Sequence, residues 1–298
     1  MNNFYSITAP AKLNLNLFIR GKTNNGLHLL DSDVCFLELS DKIIFKFSET
    51  DILHQKNDKK SLLINAKYNL ILESLNAFRN VSGWNKKFKI YLDKNIPIGA
   101  GLGGGSADAA ATLILLRNLF NKEKKSDEIS ISDLHQIANK LGSDVPACLE
   151  SKSLKISGYG NKIKRNKISD NYDYLLVNPN IHLSTKEVFS RFCYSSPYMS
   201  NDYKNFLGNV SIYNSLLPSA ICLAPQIQTI LSILKSIPNI VAYGVSGSGP
   251  TCFGIFNDIK KILPISNYFT DKYFIWCGKK KDYSMNRVRC SKMLENKF

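Results

Sequence analysis

Five glycines within seven residues form the feature of this sequence that most restricts its fold. They lie between a predicted strand, KFKIYL at 87–92, and a predicted helix over 106–120 that is apolar nearly all round and therefore expected to be buried. Glycine lets backbone amides approach a ligand closely, and the first amides of a helix lack partners and carry partial positive charge. The loop is therefore predicted to bind phosphate. A flexible loop or close helix packing is the alternative interpretation.

The pattern differs from the common phosphate-binding motifs. A P-loop ends in Gly-Lys-Ser/Thr, whereas the last glycine here is followed by Ser106 and Ala107. The spacing at 99–104 matches GxGxxG, the dinucleotide fingerprint. However, Pro97 separates this loop from the strand, and no acidic residue follows at a later strand tip. The HRD and DFG segments of protein kinases are also absent.

The rest of the chain mixes strands and helices without regular βαβ alternation, which indicates an α+β fold. Strand patterns occupy 12–19, 34–39, 43–47, 173–179 and 241–256, the last with a glycine loop inside it, and helical patterns occupy 68–79, 132–141, 184–192 and 224–236. In KLNLNLFI at 12–19, leucines alternate with polar residues, which predicts one apolar and one polar face. Residues 49–61 are predicted to be a loop, 198–217 irregular, and the lysine-rich end a basic tail.

Length and composition narrow the class of protein. A chain of 298 residues suggests two domains with real hydrophobic cores. The 39 Lys+Arg and 24 Asp+Glu residues give a net charge of +15, which indicates either an anionic partner such as RNA or compositional bias. Seven cysteines without a CxxC pair argue against a disulfide framework, and the four histidines lack metal-ligand spacing. Neither a membrane-length apolar run nor a signal pattern is present, so a cytoplasmic protein is expected.

Three segments resemble the motifs of the GHMP small-molecule kinases. They are APAKLNLNL at 9–17, PIGAGLGGGSADAA at 97–110 and GVSGSGPTCFGIF at 244–256, in the order and spacing of that family. The resemblance implies a two-domain α+β fold with the active site in the cleft. Residues 1–165 would form an ATP-binding domain of a type also found in a ribosomal protein, and 166–298 a C-terminal α/β sandwich domain. ATP and Mg²⁺ are implied as well, with the metal ligands left unassigned.

The resemblance extends to one branch of the family. IRGK at 19–22, GLH at 26–28 and LGSDVP at 141–146 are similar to kinases whose acceptor is a hydroxyl of a cytidine diphosphate alcohol. A GHMP kinase with another acceptor alcohol is one alternative, and a basic RNA-binding protein is another. The expected partners are ATP and the small alcohol, without nucleic acid or membrane, in a monomer or weak homodimer.

Asp144 and Lys12 are the candidate catalytic residues. From its position just after a helix, Asp144 is equally consistent with a helix N-cap and with a general base that takes the proton of an attacking hydroxyl. The resemblance implies the base. It also implies that Lys12 lies beside Asp144, where a cation keeps the carboxylate ionised and stabilises charge on the transferred phosphoryl group. Asn14, on the same strand face, is implied to support this pair.

The acceptor would be bound by His28, Thr185 and Phe189, according to the resemblance. His28 would hydrogen-bond cytosine, because neutral imidazole offers one donor and one acceptor, although a turn histidine is the common alternative. The family usually has an aromatic residue before this histidine, where this sequence has Leu27, so the resemblance does not supply one stacking wall for cytosine. Phe189 matches the other wall and is otherwise a core aromatic, and Thr185 matches a position near the substrate.

The remaining candidates are assigned to ATP by the resemblance. The loop residues are Pro97, Gly99, Gly101, Leu102, Gly103, Gly104, Gly105 and Ser106. Asn69 and Lys94 match positions near adenine and ribose, with a helix N-cap and a surface lysine as the respective alternatives. A second loop is expected to place amides and hydroxyls near phosphates, or else to be a tight turn between strands; it contains Ser246, Gly247, Ser248 and Gly249.

Overall fold

Two sheets organise the part of the chain that the structure describes. The structure is a computed structural model and describes residues 3–292 apart from 25, 58–59, 63–68, 170, 195–204, 263 and 286. The strands are β1 Phe4–Asn14, β2 Phe18–Lys22, β3 His28–Ser48, β4 Ile52–Asn57, β5 Lys60–Leu62, β6 Lys87–Asp93, β7 Leu154–Gly158, β8 Lys162–Arg165, β9 Asp173–Asn178, β10 Asn205–Leu207, β11 Val210–Ile212, β12 Ile240–Val245, β13 Cys252–Phe256, β14 Phe274–Lys279 and β15 Arg289–Ser291.

The larger sheet has the order β15-β1-β3-β6-β4-β5, and the smaller has the order β12-β13-β9-β14. The 21 residues of β3 are long enough to pair with β1, β6, β2 and β7 at different points, while β8 extends the sheet from β7. The described pairings are antiparallel except that of β4 with β6. The strands β10 and β11 form a separate hairpin.

The helices are α1 Leu70–Ser82, α2 Gly104–Glu123, α3 Ile131–Leu141, α4 Val145–Glu150, α5 Thr185–Ser190, α6 Leu217–Leu223 and α7 Gln226–Ser236. As its composition predicts, α2 is buried along most of its length. It contacts α1, α4 and β1, because its run of alanines at 109–111 lets neighbouring backbones approach closely. The glycine loop is thus anchored at the start of the central helix of this half.

Three apolar cores hold these elements together. One lies between the larger sheet and helices α1 to α4, and a second lies between the smaller sheet and helices α6 and α7. The third lies between the two sheets, where Leu13 and Leu37 of the larger sheet share a core with Tyr174 and Phe253 of the smaller. This third core fixes the two sheets against each other and so sets the width of the cleft between them.

Strand β1 changes the face that it presents to the helices. Its pairing with β3 is irregular between Pro10 and Lys12. Before this point Ala9 packs in the core beneath the helices, and after it Ala11 and Leu13 pack between the sheets. Because neighbouring strand residues point to opposite faces, this irregularity turns Lys12 towards the helices and the glycine loop. The predicted polar face is therefore buried rather than exposed to solvent.

Three segments differ from the expectation drawn from sequence. Residues 49–61, predicted as a loop, contain β4 and β5, and part of the irregular 198–217 segment is the β10–β11 hairpin, with 198–204 outside the described residues. The basic tail contains β15, which pairs with β1, while 293–298 are outside the described residues. Each of these strands depends on a partner elsewhere in the chain or on a short hairpin with weak apolar alternation, so local patterns do not reveal them.

In the described residues, no single helix has the length and apolar character needed to cross a membrane. The pair α6 and α7 meets the length and composition criteria together, but it is bent by 119° at the break between the two helices.

We expect Asp51→Asn to destabilise the protein by roughly 1–3 kcal/mol at neutral pH, because Asp51 accepts two hydrogen bonds from Arg79 and one from the Phe88 amide. Burial raises the pKa of Asp51, but the hydrogen bonds from Arg79 and Phe88 together lower it by more. The net shift of the pKa is therefore downward. The stabilisation is complete above about pH 4 and is lost as the pH falls through the folded pKa.

Denaturant unfolding of the wild type and Asp51→Asn at pH 7 and pH 3 measures this difference. The exposed Asp271→Asn is the matched control and should leave stability unchanged. If the free energies of unfolding of the wild type and Asp51→Asn differ equally at both pH values, the stabilisation does not depend on the ionised Asp51 carboxylate.

Candidate active site

A cavity of about 670 Å³ lies where the glycine loop, the end of β1, the α3–α4 turn and the β12–β13 loop meet. The sequence-predicted site residues that line it are Lys12, Asn14, Asn69, Lys94, Pro97, Gly99, Gly101, Gly103, Gly104, Gly105, Ser106, Asp144, Thr185, Phe189, Gly247 and Ser248. Leu102, Ser246 and Gly249 are buried and do not line the cavity. Segments from distant parts of the chain therefore meet in one cleft.

The start of α2 lies at this cavity, directly after the glycine loop, and no side chain caps its first backbone amides. Gly103 occupies the N-cap position with φ +64°. The first turn also contains no acidic residue. The first amides of α2, together with the partial positive charge of a 20-residue helix, therefore form a suitable site for phosphate oxygens.

Hydrogen bonds attach the loop to the other two motifs. The Lys12 amide donates to the Leu102 carbonyl at 2.9 Å, and the Ser246 hydroxyl donates to the Gly101 carbonyl at 2.8 Å. The Thr251 amide donates to the Ala100 carbonyl at 3.3 Å. The Lys12 amide and the Ser246 hydroxyl thus hold the loop in place.

The two glycine loops are in backbone contact at Gly101. This residue has φ +74°, and a Cβ placed on it would lie 2.4 Å from the Ser246 carbonyl oxygen and 2.7 Å from that of Gly249. Carbonyl groups of a tight turn have no room to retreat, so only glycine allows the two loops to meet here. The requirement for glycine at this position is therefore steric as well as conformational.

Lys12 and Asp144 form an ion pair at the base of the cavity. The Lys12 side chain is only 4% exposed, whereas that of Asp144 is 42% exposed and open to the cleft. Asp144 does occupy the N-cap position of α4, but its carboxylate makes no capping hydrogen bond. A Cβ on Gly103 would lie 3.3 Å from Lys12 Cβ and 3.9 Å from Asp144 Oδ2, so the phosphate loop passes directly over the pair.

Asn14 ties the first motif to the third. Its amide N–H donates to the Ser246 hydroxyl at 3.1 Å, and its side chain donates to the Ser32 hydroxyl at 2.8 Å. The Ser32 hydroxyl in turn donates to the Asn16 carbonyl at 2.5 Å. Asn14 therefore lies beside Lys12 on the cavity wall with a fixed side chain.

Lys94 lines the cavity, but its ammonium group is committed to two carboxylates. It donates to Asp41 at 2.5 Å and to Asp108 at 2.9 Å, with all three side chains nearly buried. Sequence reasoning missed both acids, although a lone carboxylate at Asp108 on the otherwise apolar helix α2 was a usable signal. The ammonium lies close under the phosphate loop, since a Cβ on Gly104 would be 3.4 Å from Lys94 Nζ.

One ammonium group cannot neutralise two buried carboxylates. Asp41 also accepts hydrogen bonds from the Asn95 and Ile96 amides, whereas Asp108 Oδ1 has no partner among the described residues. Burial raises the pKa of Asp108 despite the attraction of Lys94, and the neighbouring Asp41 raises it further. The two carboxylates raise the pKa of Lys94 against the effect of its burial, so the lysine stays charged.

Two further polar side chains line the cavity. Asn69 caps α1, since its side chain accepts from the Ile71 amide at 2.9 Å, and it also lines the cavity. Gln55 of β4 is buried and lines the same wall. Sequence analysis missed Gln55 because the 49–61 segment was predicted to be a loop.

A second cavity of about 490 Å³ adjoins the first, and Leu30, Ser143, Gly160 and Phe189 line both. His28 lines the second cavity, with its ring centroid 5.0 Å from that of Phe189. Burial and the nearby Lys22 lower the pKa of His28, so the ring is neutral at pH 7.

The edge of the His28 ring carries hydrogen-bonding capacity that the fold leaves unused. Its Nδ1 atom is buried without a hydrogen-bond partner among the described residues. Thr185, whose hydroxyl lies 2.9 Å from that of Ser248, connects α5 to the second glycine loop. The two cavities together can take a substrate with a flat polar ring at one end and a reacting group near Asp144.

Comparison with known proteins gives consistent matches. Residues 69–152 match the model of the GHMP kinases N terminal domain, and residues 199–272 match that of the GHMP kinases C terminal domain. A 4-diphosphocytidyl-2-C-methyl-D-erythritol kinase of Prochlorococcus marinus is 34% identical over 91% of this chain and 93% of the relative. The protein of the same name from Anaplasma phagocytophilum is 34% identical over 91% of this chain and 92% of the relative.

Solved structures agree with these sequence matches. The crystal structure of a 4-(cytidine 5'-diphospho)-2C-methyl-D-erythritol kinase has a TM-score of 0.74 at 25% identity, covering 92% of this chain and 98% of its own. A homoserine kinase from Cytophaga hutchinsonii has a TM-score of 0.66 at 14% identity, with 98% of each chain covered. The second likeness concerns the fold alone.

We expect Gly101→Ala to raise the KM for ATP by about tenfold or more, because strain of this kind costs about 1–3 kcal/mol and is relieved only by separating the two loops. Steady-state kinetics with varied ATP measures the effect. Gly105→Ala is the matched control from the same loop, since its backbone needs no positive φ and its Cβ would meet only Leu70 Cδ1 at 3.5 Å. Equal KM values for both variants would refute the steric argument.

Asp108→Asn should flatten the dependence of stability on pH. A buried acid whose folded pKa is raised destabilises the fold progressively as the pH rises above its unfolded pKa towards its folded one. The wild type should therefore lose stability between about pH 4 and pH 7 relative to Asp108→Asn, as measured by thermal unfolding. The exposed Asp127→Asn is the control and should follow the wild type. Parallel curves of stability against pH for the wild type and Asp108→Asn would contradict the raised pKa of Asp108.

Proposed function

The chain belongs to the GHMP kinase family, and we propose that it transfers the γ-phosphoryl group of ATP to the 2-hydroxyl of 4-diphosphocytidyl-2-C-methyl-D-erythritol. The family and the α+β fold class predicted from the sequence are confirmed by the matches of both family models and by the structural superposition. The named relatives support the acceptor, whose phosphorylation belongs to the non-mevalonate route to isoprenoid precursors.

The observation that carries this proposal is the junction of the two cavities. The phosphate loop and Asp144 line one cavity, His28 lines the other, and Ser143 and Phe189 line both. An acceptor with a pyrimidine beside His28 therefore has a continuous path to Asp144. ATP enters from the opposite side, with its phosphates at the start of α2.

The reaction is a direct in-line transfer without a covalent phosphoenzyme. Asp144 accepts the proton of the acceptor hydroxyl, for which its exposed carboxylate is suitably placed. Lys12 lies against the carboxylate and stabilises negative charge on the transferred group. Because the loops and the ion pair are already fixed by hydrogen bonds and packing, positioning and electrostatics supply most of the rate.

Mg²⁺ enters as part of the nucleotide substrate. Within the described ranges, no three His, Cys, Asp or Glu side chains are grouped so as to hold a metal ion. Mg²⁺ bound to nucleotides takes phosphate oxygens and water with only one or two protein ligands. The Ser106 hydroxyl is one of the oxygen donors that line the cleft and suits such a complex.

The other site residues divide between the two substrates. Asn69 and Lys94 lie at the nucleoside side, where Lys94 acts through the ion cluster beneath the loop rather than as a free cation. Asn14 and Thr185 lie near the acceptor hydroxyl, and His28 binds the cytosine edge with Phe189 against the ring. The second loop borders the phosphates through Gly247 and Ser248, whereas the predicted Ser246 and Gly249 are buried behind the cavity wall.

In this proposal residues 1–165 form the ATP-binding domain and residues 166–298 the C-terminal domain. The larger sheet, with β1 to β8, and the smaller sheet, with β9 and β12 to β14, support the division. The strand β15 crosses back to pair with β1, so the end of the second segment contacts the first domain.

A coupled ADP-release assay tests the acceptor. With 4-diphosphocytidyl-2-C-methyl-D-erythritol, ADP should form at the rate of acceptor phosphorylation, whereas homoserine and mevalonate should give only background. A higher rate with another alcohol would replace the proposed acceptor. Steeply salt-dependent RNA binding with no ATP consumption would instead favour the RNA-binding alternative.

Asp144→Asn tests the proposed base. We expect kcat to fall by at least about 100-fold, because general base catalysis contributes that much or more and the amide cannot take the proton. Acceptor binding, measured as the thermal shift produced by the cytidine diphosphate alcohol, should persist. Asp127→Asn is the control and should keep wild-type kcat. Near-normal turnover in Asp144→Asn would rule out the base assignment.

A further inference from the structure

An aromatic side chain outside the predicted site projects into the acceptor cavity. Tyr159 lies in the turn between β7 and β8 and is 47% exposed, although it lines the same cavity as His28 and Phe189. In the described part of the chain its side chain makes no hydrogen bond and no ring contact, whereas His28 and Phe189 contact each other. A large flat ring is therefore left uncovered at the wall of a cavity.

The turn holds Tyr159 in a defined position. Its neighbours Gly158 and Gly160 have φ +70° and +105°, conformations that favour glycine. Gly158 is paired with Leu30 of β3, two residues from His28. A Cβ on Gly160 would lie 3.0 Å from the Ser143 carbonyl oxygen, so the turn also packs against the segment that carries Asp144.

The backbone position of Tyr159 is thus fixed relative to His28 and to the proposed base, which bind the two ends of the acceptor. The pairing with β3 sets Tyr159 against the strand that carries His28, and the contact with Ser143 sets it against the loop that carries the proposed base. Because the backbone at Tyr159 is held in this way, little backbone freedom is lost when a ligand stacks on the ring, which favours binding.

The walls of this cavity suit a heteroaromatic ring. Phe189 and Tyr159 supply aromatic surface, Leu27 supplies an exposed apolar side chain, and Asn139 and Asn161 supply amides at the rim. The unpartnered Nδ1 of His28 offers a hydrogen bond to a ring edge. A pyrimidine fits this combination, because its faces stack on aromatic rings while its edge carries donors and acceptors.

We propose that Tyr159 is a substrate-binding residue whose ring stacks on the cytosine of the acceptor. This inference rests on the proposed function and deepens it, because it assigns the recognition of the base to a residue outside the three motifs. Stacking of this kind favours acceptors that contain a nucleobase and adds nothing for a small alcohol without one. Tyr159 therefore contributes to selection of the acceptor and not to phosphoryl transfer.

Replacement of Tyr159 tests the stacking contact. Tyr159→Ala and Tyr159→Leu should each raise the KM for the acceptor by about tenfold, with kcat and the KM for ATP close to wild type. Tyr159→Phe is the matched control, because it keeps the ring and loses only the hydroxyl, and its kinetics should stay near wild type. The leucine variant distinguishes stacking on a flat ring from simple apolar contact.

Calorimetric titration of CDP into the ATP-free protein provides a readout that needs no turnover. The affinity for CDP should fall about tenfold in Tyr159→Ala and Tyr159→Leu and be kept in Tyr159→Phe. Unchanged acceptor KM and CDP affinity in Tyr159→Ala, or equal losses in Tyr159→Phe, would overturn the inference. If the wild type fails to phosphorylate the acceptor, the proposed function fails. If the wild type is active and Tyr159→Ala matches it, the inference alone fails.

Discussion

The ion pair between Lys12 and Asp144 joins segments separated by 132 residues, and the arrangement of the cleft depends on it. A buried lysine needs a counter-charge, so the pair holds the end of β1 against the start of α4. The carboxylate keeps its open side towards the cleft, where a hydroxyl can approach. The loop above the pair has to pass without side chains, which accounts for Gly103 at this position.

The turn of β1 between Pro10 and Lys12 makes this pair possible. Without the face change, Lys12 would lie between the two sheets, in an apolar core shared with Leu13 and Phe253. Because of the face change, Lys12 and Asn14 face the phosphate loop, and the neighbouring leucines pack between the two sheets. One local irregularity therefore serves both stability and the site. The charge of the chain plays a smaller part, since the two cleft lysines, Lys12 and Lys94, are both paired with carboxylates.

Prediction from sequence succeeded where the signal is local. Helix α2 with its glycine loop, and helix α3 over the predicted 132–141 segment, follow from neighbouring residues. Prediction was wrong for 49–61, because β4 is stabilised by pairing with β6 and not by its own alternation. Asp41 was missed for a related reason: its partner Lys94 is 53 residues away, and no local pattern signals a buried ion cluster.

The sequence by itself determined the phosphate loop, because glycine spacing and a helix start are encoded within a few residues. It also supplied the residue types, an acid and a lysine, that phosphoryl transfer requires. Only the tertiary structure decided that the Asp144 carboxylate does not cap α4, and that Tyr159 lies in the cavity of His28. The physical reason is that such contacts arise from strand pairing and core packing between distant segments, and local propensity carries no information about them.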